Sequence, residues 1–338
     1  MRVCLYGLGA IGAAVARALM DTEGVSITGA IDIDPAKTGR DLRSALRMRG
    51  TSGVVVRQDA GEVLDKGAHD VVIHTTGSRL ADVASQLDAV LGAGLPCVTS
   101  CEEMSFPEAS DPERAGALDR RAREHGVALL GTGVNPGFAM DALVMALSGA
   151  TRGVRHVAVE RVLDPLRRRK AFQKKVGLGM AHEEAARAVA EGRLGHVGLR
   201  QSASLIGRGL GWSLTGFEES IRVLCEDEDP SSPIRKQRPD APVAGLHQVL
   251  RGRNGSREVI VLEMVMAAGV EAPHDAVTIQ GTPDLSLWIR GGIPGDEATV
   301  SCLINGARQV ITPPRPGLLT VLDLPLRARR LGDGAERL

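Results

Sequence analysis

The chain has 338 residues, 43% hydrophobic and 24% charged, with a formal net charge of zero. That length accommodates two domains, and the charge balance, with no basic run interleaved with aromatics, argues against a nucleic-acid partner. The apolar runs are too short for a bilayer span. Five cysteines (Cys4, Cys97, Cys101, Cys225 and Cys302) make an odd count without a CxxC pair, which points to reduced thiols rather than disulfides or a zinc site. Met-Arg leads directly into a strand with no signal-peptide pattern, so a cytoplasmic protein is expected, with no metal.

In chain order, Val3–Tyr6 is a short apolar strand, followed by Gly7-Leu8-Gly9-Ala10-Ile11-Gly12 and a helical run through Met20. In this GxGxxG, Gly7 permits the tight turn, Gly9 admits a pyrophosphate to the backbone, and Gly12 lets helix and strand pack closely. The first helical residues, Ala10 and Ile11, then offer their N–H groups to that phosphate. A second strand, Val25–Ile31, ends at Asp32, about twenty residues past the last glycine, where a carboxylate binds the adenosine ribose. Strand, glycines, helix, strand and acid together predict a nicotinamide dinucleotide, NAD(P)H; a glycine-rich structural turn is the bland alternative. Asp32 opposes a 2′-phosphate, yet Lys37, Arg40 and Arg43 follow within reach of one, unless they form a solvated helix face. NAD and NADP therefore both stay open.

The alternation continues with strand Asp70–His74 running into Thr75-Thr76-Gly77-Ser78, a helical pattern over Leu80–Leu91, and strand Pro96–Ser100. A helix at Pro112–His125 and strand Val127–Leu130 follow. Such repeats build a parallel, doubly wound sheet whose ligands sit at the carboxyl ends of the strands. Thr75, Thr76 and Gly77, the pair Glu102 and Glu103, and the loop from Gly131 through Asn135 and Pro136 to Phe138 are the segments expected there. His74 is expected to be a packed strand end.

Past Asp141 the composition shifts. A strand at Val154–Leu163 runs into a basic cluster, and helices are expected at His182–Glu191 and Ser202–Leu210. Strand-like runs then succeed one another at 217–224, 243–251, 258–267, 276–280 and 285–290, with Arg253-Asn254-Gly255-Ser256 as a hairpin turn. Successive strands without helices predict a mostly antiparallel open sheet in a C-terminal α+β domain. A helix at Glu297–Val310 is expected to pack back on the first domain, with Pro313 and Pro314 ending it and residues 331–338 mobile. The fold class is thus α/β, an N-terminal Rossmann sheet plus an α+β domain. The expected boundaries are 1–140, 141–295 and a returning segment at 296–330.

Seven stretches, "GLGAIG", "AIDIDPAKTGRDL", "CEEMSFP", "GTGVNPGFAMD", "RRRKAFQKKVGLGM", "GHVGLRQSASLIGRGLGW" and "TPPRPGLLTVLDLPL", resemble the 2,4-diaminopentanoate dehydrogenases and the related native amine dehydrogenases. These belong to the dihydrodipicolinate reductase-like superfamily. The resemblance runs nearly end to end. It implies two domains, a homodimer, NAD(P)H, and reversible conversion of an amine to a ketone plus ammonia. True dihydrodipicolinate reductases carry a paired-histidine and lysine motif, absent from Val159–Asp164, so lysine biosynthesis is not expected.

Reductive amination needs several proton transfers, which a carboxylate near the nicotinamide performs; the resemblance places that glutamate in "CEEMSFP". Adjacent residues of extended chain point opposite ways, so one of Glu102 and Glu103 is expected to face the substrate, with Glu102 favoured and the other capping a turn or pairing with an arginine. Asn135 is a candidate for the nicotinamide carboxamide, and Phe138 and Met140 for pocket lining. Arg168, Arg169, Gln173 and Lys174 are candidates for a substrate carboxylate, or else form a solvated or dimer-face cluster. His196 is either a pocket group or a structural histidine. The alternatives are an imine or ketone reductase with the same hydride geometry, and a non-catalytic cofactor-binding sensor. The partners expected are small molecules and a second copy of the chain.

Overall fold

The computed structural model describes residues 1–225 and 242–325; the expected mobile end at 331–338 lies outside the described residues. The first compact unit comprises Met1–Gly137 and the described residues from Glu297 onward, and the second is Phe138–Asp296.

The first unit is a seven-stranded sheet ordered β13-β6-β5-β4-β1-β2-β3, every neighbouring pair parallel. Its strands are β1 (Arg2–Tyr6), β2 (Ser26–Ile31), β3 (Val56–Arg57), β4 (Val71–His74), β5 (Cys97–Thr99), β6 (Ala128–Gly131) and β13 (Gly317–Leu319). Strands β4, β5 and β6 are buried along their whole length, as parallel strands covered on both faces must be. Side chains alternate between the two faces. Val3, Leu5, Ile73, Val98 and Leu130 pack with helices α1 (Ala10–Met20) and α9 (Gly295–Ile311). Cys4, Val72, Cys97 and Leu129 pack with α3 (Leu80–Gly92) and α4 (Pro112–Glu124). The sequence supports each helix locally: α3 buries Leu80, Val83, Leu87, Val90 and Leu91 at helical spacing. Helix α4 begins with Pro112 behind Asp111, whose carboxylate accepts the Arg114 N–H at 2.9 Å. A short α2 (Leu42–Ala45) is capped in the same way by Asp41. The order reverses between β1 and β4, and the fold is the expected doubly wound sheet.

In the second unit, six strands run β12-β11-β7-β10-β9-β8. They are β7 (Arg152–Leu163), β8 (Gly216–Cys225), β9 (Val243–Asn254), β10 (Arg257–Ala267), β11 (His274–Thr282) and β12 (Leu285–Arg290). All pairs are antiparallel except β7 with β10. Asn254 pairs with Arg257, so the hairpin loop is Gly255-Ser256 alone, with Gly255 at φ +62°; the sequence reading placed the turn two residues too wide. Helices α5 (Ala142–Ser148) and α8 (Leu199–Leu210) lie against this sheet, while α6 (Lys170–Lys175) and α7 (His182–Ala190) connect β7 to α8. Asp141 joins α5 to α8, its carboxylate accepting from the Ala142 N–H and from the Ser202 hydroxyl, each at 2.6 Å. Val157, Val159, Leu246, Leu250, Ile260, Leu262, Val277 and Ile279 fill one face of the sheet.

Strands β3 and β13 have no counterpart in the sequence reading. Each is two or three residues long, below the length at which an apolar period is legible.

Candidate functional site

The carboxyl ends of β1, β2, β4, β5 and β6 carry the candidate residues of the first unit. The three glycines differ in what a side chain would meet. At Gly7, with φ +95°, a Cβ would lie 2.9 Å from the Thr75 backbone; at Gly12 it would lie 1.9 Å from the Gly7 carbonyl oxygen. At Gly9 nothing lies within 4 Å. Gly7 and Gly12 are therefore required by packing, and Gly9 by open space over the start of α1, where no side chain caps the first N–H groups. Ala10 and Ile11 form that first turn. A cofactor pyrophosphate fits this space and this polarity.

Asp32 is 9% exposed, and both its oxygens are engaged. Oδ2 accepts the Leu8 N–H at 2.6 Å and approaches Lys37 Nζ at 3.3 Å; Oδ1 accepts the Asp34 N–H at 2.8 Å. Lys37 also lies 3.2 Å from Asp34, and this second carboxylate was not singled out in the sequence. Of the other candidates for a 2′-phosphate, Arg40 donates to Ala36 O and Ser44 Oγ, and Arg43 to Arg49 O. Two carboxylates against one lysine leave this corner negative. Asp32→Ser is expected to raise the NADP-to-NAD efficiency ratio about fivefold or more, since a like charge near 4 Å costs about 1–4 kcal/mol. Because the same change frees the Leu8 and Asp34 amides, both KM values should rise, and only the ratio reports on selectivity. An unchanged ratio would remove Asp32 from the ribose.

The loop after β4 is held from within. Thr75 Oγ1 donates to Gly7 O at 2.8 Å, and Thr76 Oγ1 to Gln86 Oε1 at 2.6 Å. These two hydroxyls build the loop, so what Thr75, Thr76 and Gly77 offer a ligand is their backbone. On the β6 side, Gly131 abuts the glutamate turn: a Cβ there would stand 2.2 Å from the Met104 carbonyl. Asn135, half-buried, precedes Pro136 through a cis peptide, and Gly137 takes φ +122°.

The glutamates do not sit on extended chain. Glu102–Ser105 is a 3₁₀ turn, because Cys101 O accepts the Met104 N–H and Glu102 O the Ser105 hydroxyl. At three residues per turn, adjacent side chains diverge by about 120° rather than pointing to opposite sides. Glu103 turns toward α3, where its Oε2 accepts the Leu80 N–H at 2.6 Å while its own N–H binds Ser78 O at 3.2 Å. A carboxylate on the first amide of a helix is stabilised by the helix dipole. Glu103 is thus the capping member of the pair. Both glutamates are half-buried.

In the second unit the basic cluster is largely paired. Arg168 and Arg169 share Asp296 at 2.9 and 2.7 Å, Gln173 donates to Arg168 O at 3.0 Å, and Lys174 is exposed. Arg161, 3% exposed, pairs with Asp275 at 2.8 Å. Neither acid was anticipated, since nothing in sequence links residues more than a hundred positions apart. Two side-chain nitrogens there are buried without a hydrogen-bond partner among the described residues, Arg168 Nε and His196 Nε2. Gln248 clamps the His196 backbone, accepting its N–H at 2.8 Å and donating to its carbonyl at 2.9 Å. Burial, and then the positive charges of Lys175, Arg161 and Arg168, push His196 well below the usual histidine range, so its ring is neutral near pH 7. Of the two candidates for pocket lining, Met140 is fully buried and Phe138 keeps partial exposure.

Among the described residues no cluster of His, Cys, Asp or Glu could hold a metal ion, and no helix is long and apolar enough to cross a membrane.

Residues 1–101 match the dihydrodipicolinate reductase N-terminus, and residues 138–337 match the 2,4-diaminopentanoate dehydrogenase C-terminal domain. The 2,4-diaminopentanoate dehydrogenase of Acetoanaerobium sticklandii is 31% identical over 98% of this chain and 96% of its own length. Among solved structures, the amine dehydrogenase from Mycobacterium smegmatis superposes with a TM-score of 0.83 at 27% identity, covering 97% of each chain. Dihydrodipicolinate reductase from Paenisporosarcina sp. TG-14 shares the fold, with a TM-score of 0.52 and 14% identity over 96% of this chain and 98% of that one. Matched over most of its length to these relatives, the chain belongs to the 2,4-diaminopentanoate dehydrogenase family.

Proposed function

We propose that the protein is an NAD(P)-dependent amine dehydrogenase. In the forward direction a protonated amine, water and NAD(P)+ give a ketone, ammonium, NAD(P)H and one proton. The bound nicotinamide supplies the hydride acceptor. The open space at Gly9 and the α1 N-terminus hold its pyrophosphate, Asp32 lies at the ribose, and Asn135 is assigned to the carboxamide.

One observation supports the catalytic assignment: Glu103 accepts the Leu80 N–H as a cap of α3, so the proton-transfer role is assigned to its neighbour Glu102 at the start of the same turn. Glu102 takes a proton from the substrate ammonium, so that the nitrogen lone pair can drive hydride loss from carbon. After releasing that proton to solvent, the one proton of the net equation, it takes a proton from the water that adds to the imine and passes it to the departing nitrogen. Within the second unit, an anion-binding role is assigned to Arg168 Nε and His196 Nε2, both buried without a hydrogen-bond partner among the described residues. A panel of 2,4-diaminopentanoate and simple amines, incubated with NAD or NADP and scored for ammonia release, tests the reading. Cofactor reduction without ammonia would indicate oxidation to an imine that is not hydrolysed, the imine-reductase reading instead.

The protein is also proposed to be a cytoplasmic homodimer. The five cysteines are all free thiols, as a reducing compartment allows. On the second sheet, the face opposite the packed one carries half-buried Val162, Val249 and Val261 beside the pairs His274–Glu160 and His247–Glu263. Trp288 is 57% exposed there, stacked on His274 at 3.7 Å. Such a mixed face is suited to a second copy of itself. Trp288→Glu is expected to shift light-scattering mass from dimer toward monomer; an unchanged mass would place the interface elsewhere.

A further inference from the structure

Beneath the loops after β4 and β5 runs a chain of hydrogen bonds, buried at His74 and Thr99 and reaching the surface at Thr76, that the mechanism above does not use. His74 and Thr99 are both 0% exposed and lie opposite each other on these strands. His74 Nδ1 is 2.9 Å from Thr99 Oγ1; its Nε2 is 2.8 Å from Gln86 Oε1 and 2.9 Å from Thr76 Oγ1. The Thr99 hydroxyl oxygen also accepts the Cys101 N–H at 3.1 Å, and the Thr76 hydroxyl donates to Gln86 Oε1 at 2.6 Å.

One proton arrangement satisfies every member. An amide oxygen only accepts, so Nε2 carries the ring hydrogen. Nδ1 is then an acceptor and takes the Thr99 hydroxyl hydrogen, and the Thr99 oxygen remains free to accept from Cys101. Burial lowers the His74 pKa to about 4, which keeps the ring in this neutral form. The network therefore has one end on Thr76, in the loop packed against the glycines, and the other on the amide immediately before Glu102.

We infer that His74 is a positioning residue that fixes the glutamate turn relative to the loop Thr75–Gly77, acting through Thr99 and Cys101 on one side and Thr76 and Gln86 on the other. This rests on Glu102 being the proton-transfer group. A histidine that merely filled the core would need a partner for each nitrogen, but those partners would not have to end on two candidate ligand loops.

The test uses the full-length protein with 2,4-diaminopentanoate or whichever amine of the panel releases ammonia, and follows NADH affinity separately by fluorescence titration. Thr99→Val keeps the shape and removes the hydroxyl. It is expected to lower kcat about ten- to a hundredfold, the scale of a displacement near 1 Å, with NADH affinity within about twofold. Thr99→Ser should recover most of the loss. Gln86→Met, at a half-buried position outside the strand, should lower kcat in the same direction. Wild-type kcat in Thr99→Val at an unchanged Tm, or a Thr99→Ser variant as slow as Thr99→Val, overturns the inference. Should Thr99→Val fail to fold, wild-type kcat in Gln86→Met overturns it. If Glu102→Gln collapses while Thr99→Val stays fast, only the positioning role is lost. If Glu102→Gln and Glu103→Gln both stay fully active, the glutamate chemistry itself is what fails, and the positioning role falls with it.

Discussion

Glu102→Gln is expected to lower reductive amination about a hundred- to ten-thousand-fold, the range that a positioned proton-transfer group contributes, while NAD(P)H still binds. The amide keeps the volume of the carboxylate and loses its basicity, and the cofactor contacts come from other strand ends. Glu103→Gln should behave differently. Its side chain accepts the first N–H of α3, and an amide oxygen accepts the same bond without the charge, so the loss is that of a charge-assisted cap, about 0.3–1 kcal/mol of stability. Activity should fall only as far as the turn loosens. A preformed cyclic imine, which needs no dehydration, should suffer less than ketone plus ammonia in the Glu102 variant. The measurement is kcat for both substrates in both variants, with Tm alongside. Full amination in Glu102→Gln together with collapse in Glu103→Gln would exchange the two roles.

Gly9→Asp is expected to abolish measurable cofactor affinity without harming the fold. No atom lies within 4 Å of the position a Cβ would take, and Gly9 has φ −64°, which any residue adopts. Gly9 is also the N-cap of α1, a position where aspartate is among the favoured residues and complements the helix dipole. Tm should therefore hold or rise. The same carboxylate occupies the space assigned to the pyrophosphate and repels it, at a cost of about 1–4 kcal/mol from charge alone at contact distance, so Kd rises about fivefold or more before steric exclusion is added. Isothermal titration with NADH and a thermal melt read the two effects independently. Unchanged Kd would move the pyrophosphate away from this loop.

These expectations show where the sequence was legible. The glycine loop could be read because the residue types are forced by backbone space: 1.9 Å at Gly12 admits no Cβ in any homologous packing, and that constraint is written in one stretch of six residues. The second sheet could be read because strands of nine to twelve residues, β7, β9, β10 and β11, expose a period that turns punctuate. The glutamate pair follows β5 as expected, but on a 3₁₀ turn rather than extended chain, since nothing in "CEEMSFP" distinguishes the two. The same limit hid Asp296 and Asp275, whose arginine partners lie more than a hundred residues away and which no local pattern announces. His74 was correctly expected to be packed; that its packing joins two loops depends on Thr99 and Gln86, side chains with no signature of their own.

The return of the chain after Asp296 has a consequence for biosynthesis. Val98 and Leu130 on the sheet pack with Val300, Leu303, Ile304, Ala307, Val310 and Leu319, and β13 covers the edge of β6. A nascent chain released only as far as Gly137 has made all six other strands of that sheet, yet it presents a greasy flank and an unsatisfied strand margin to the surrounding solvent. The whole second unit must emerge before that flank is covered. Slow synthesis through the middle of the gene would lengthen this vulnerable interval. Chaperone dependence should therefore track the time taken to reach the final helix rather than the stability of the finished protein.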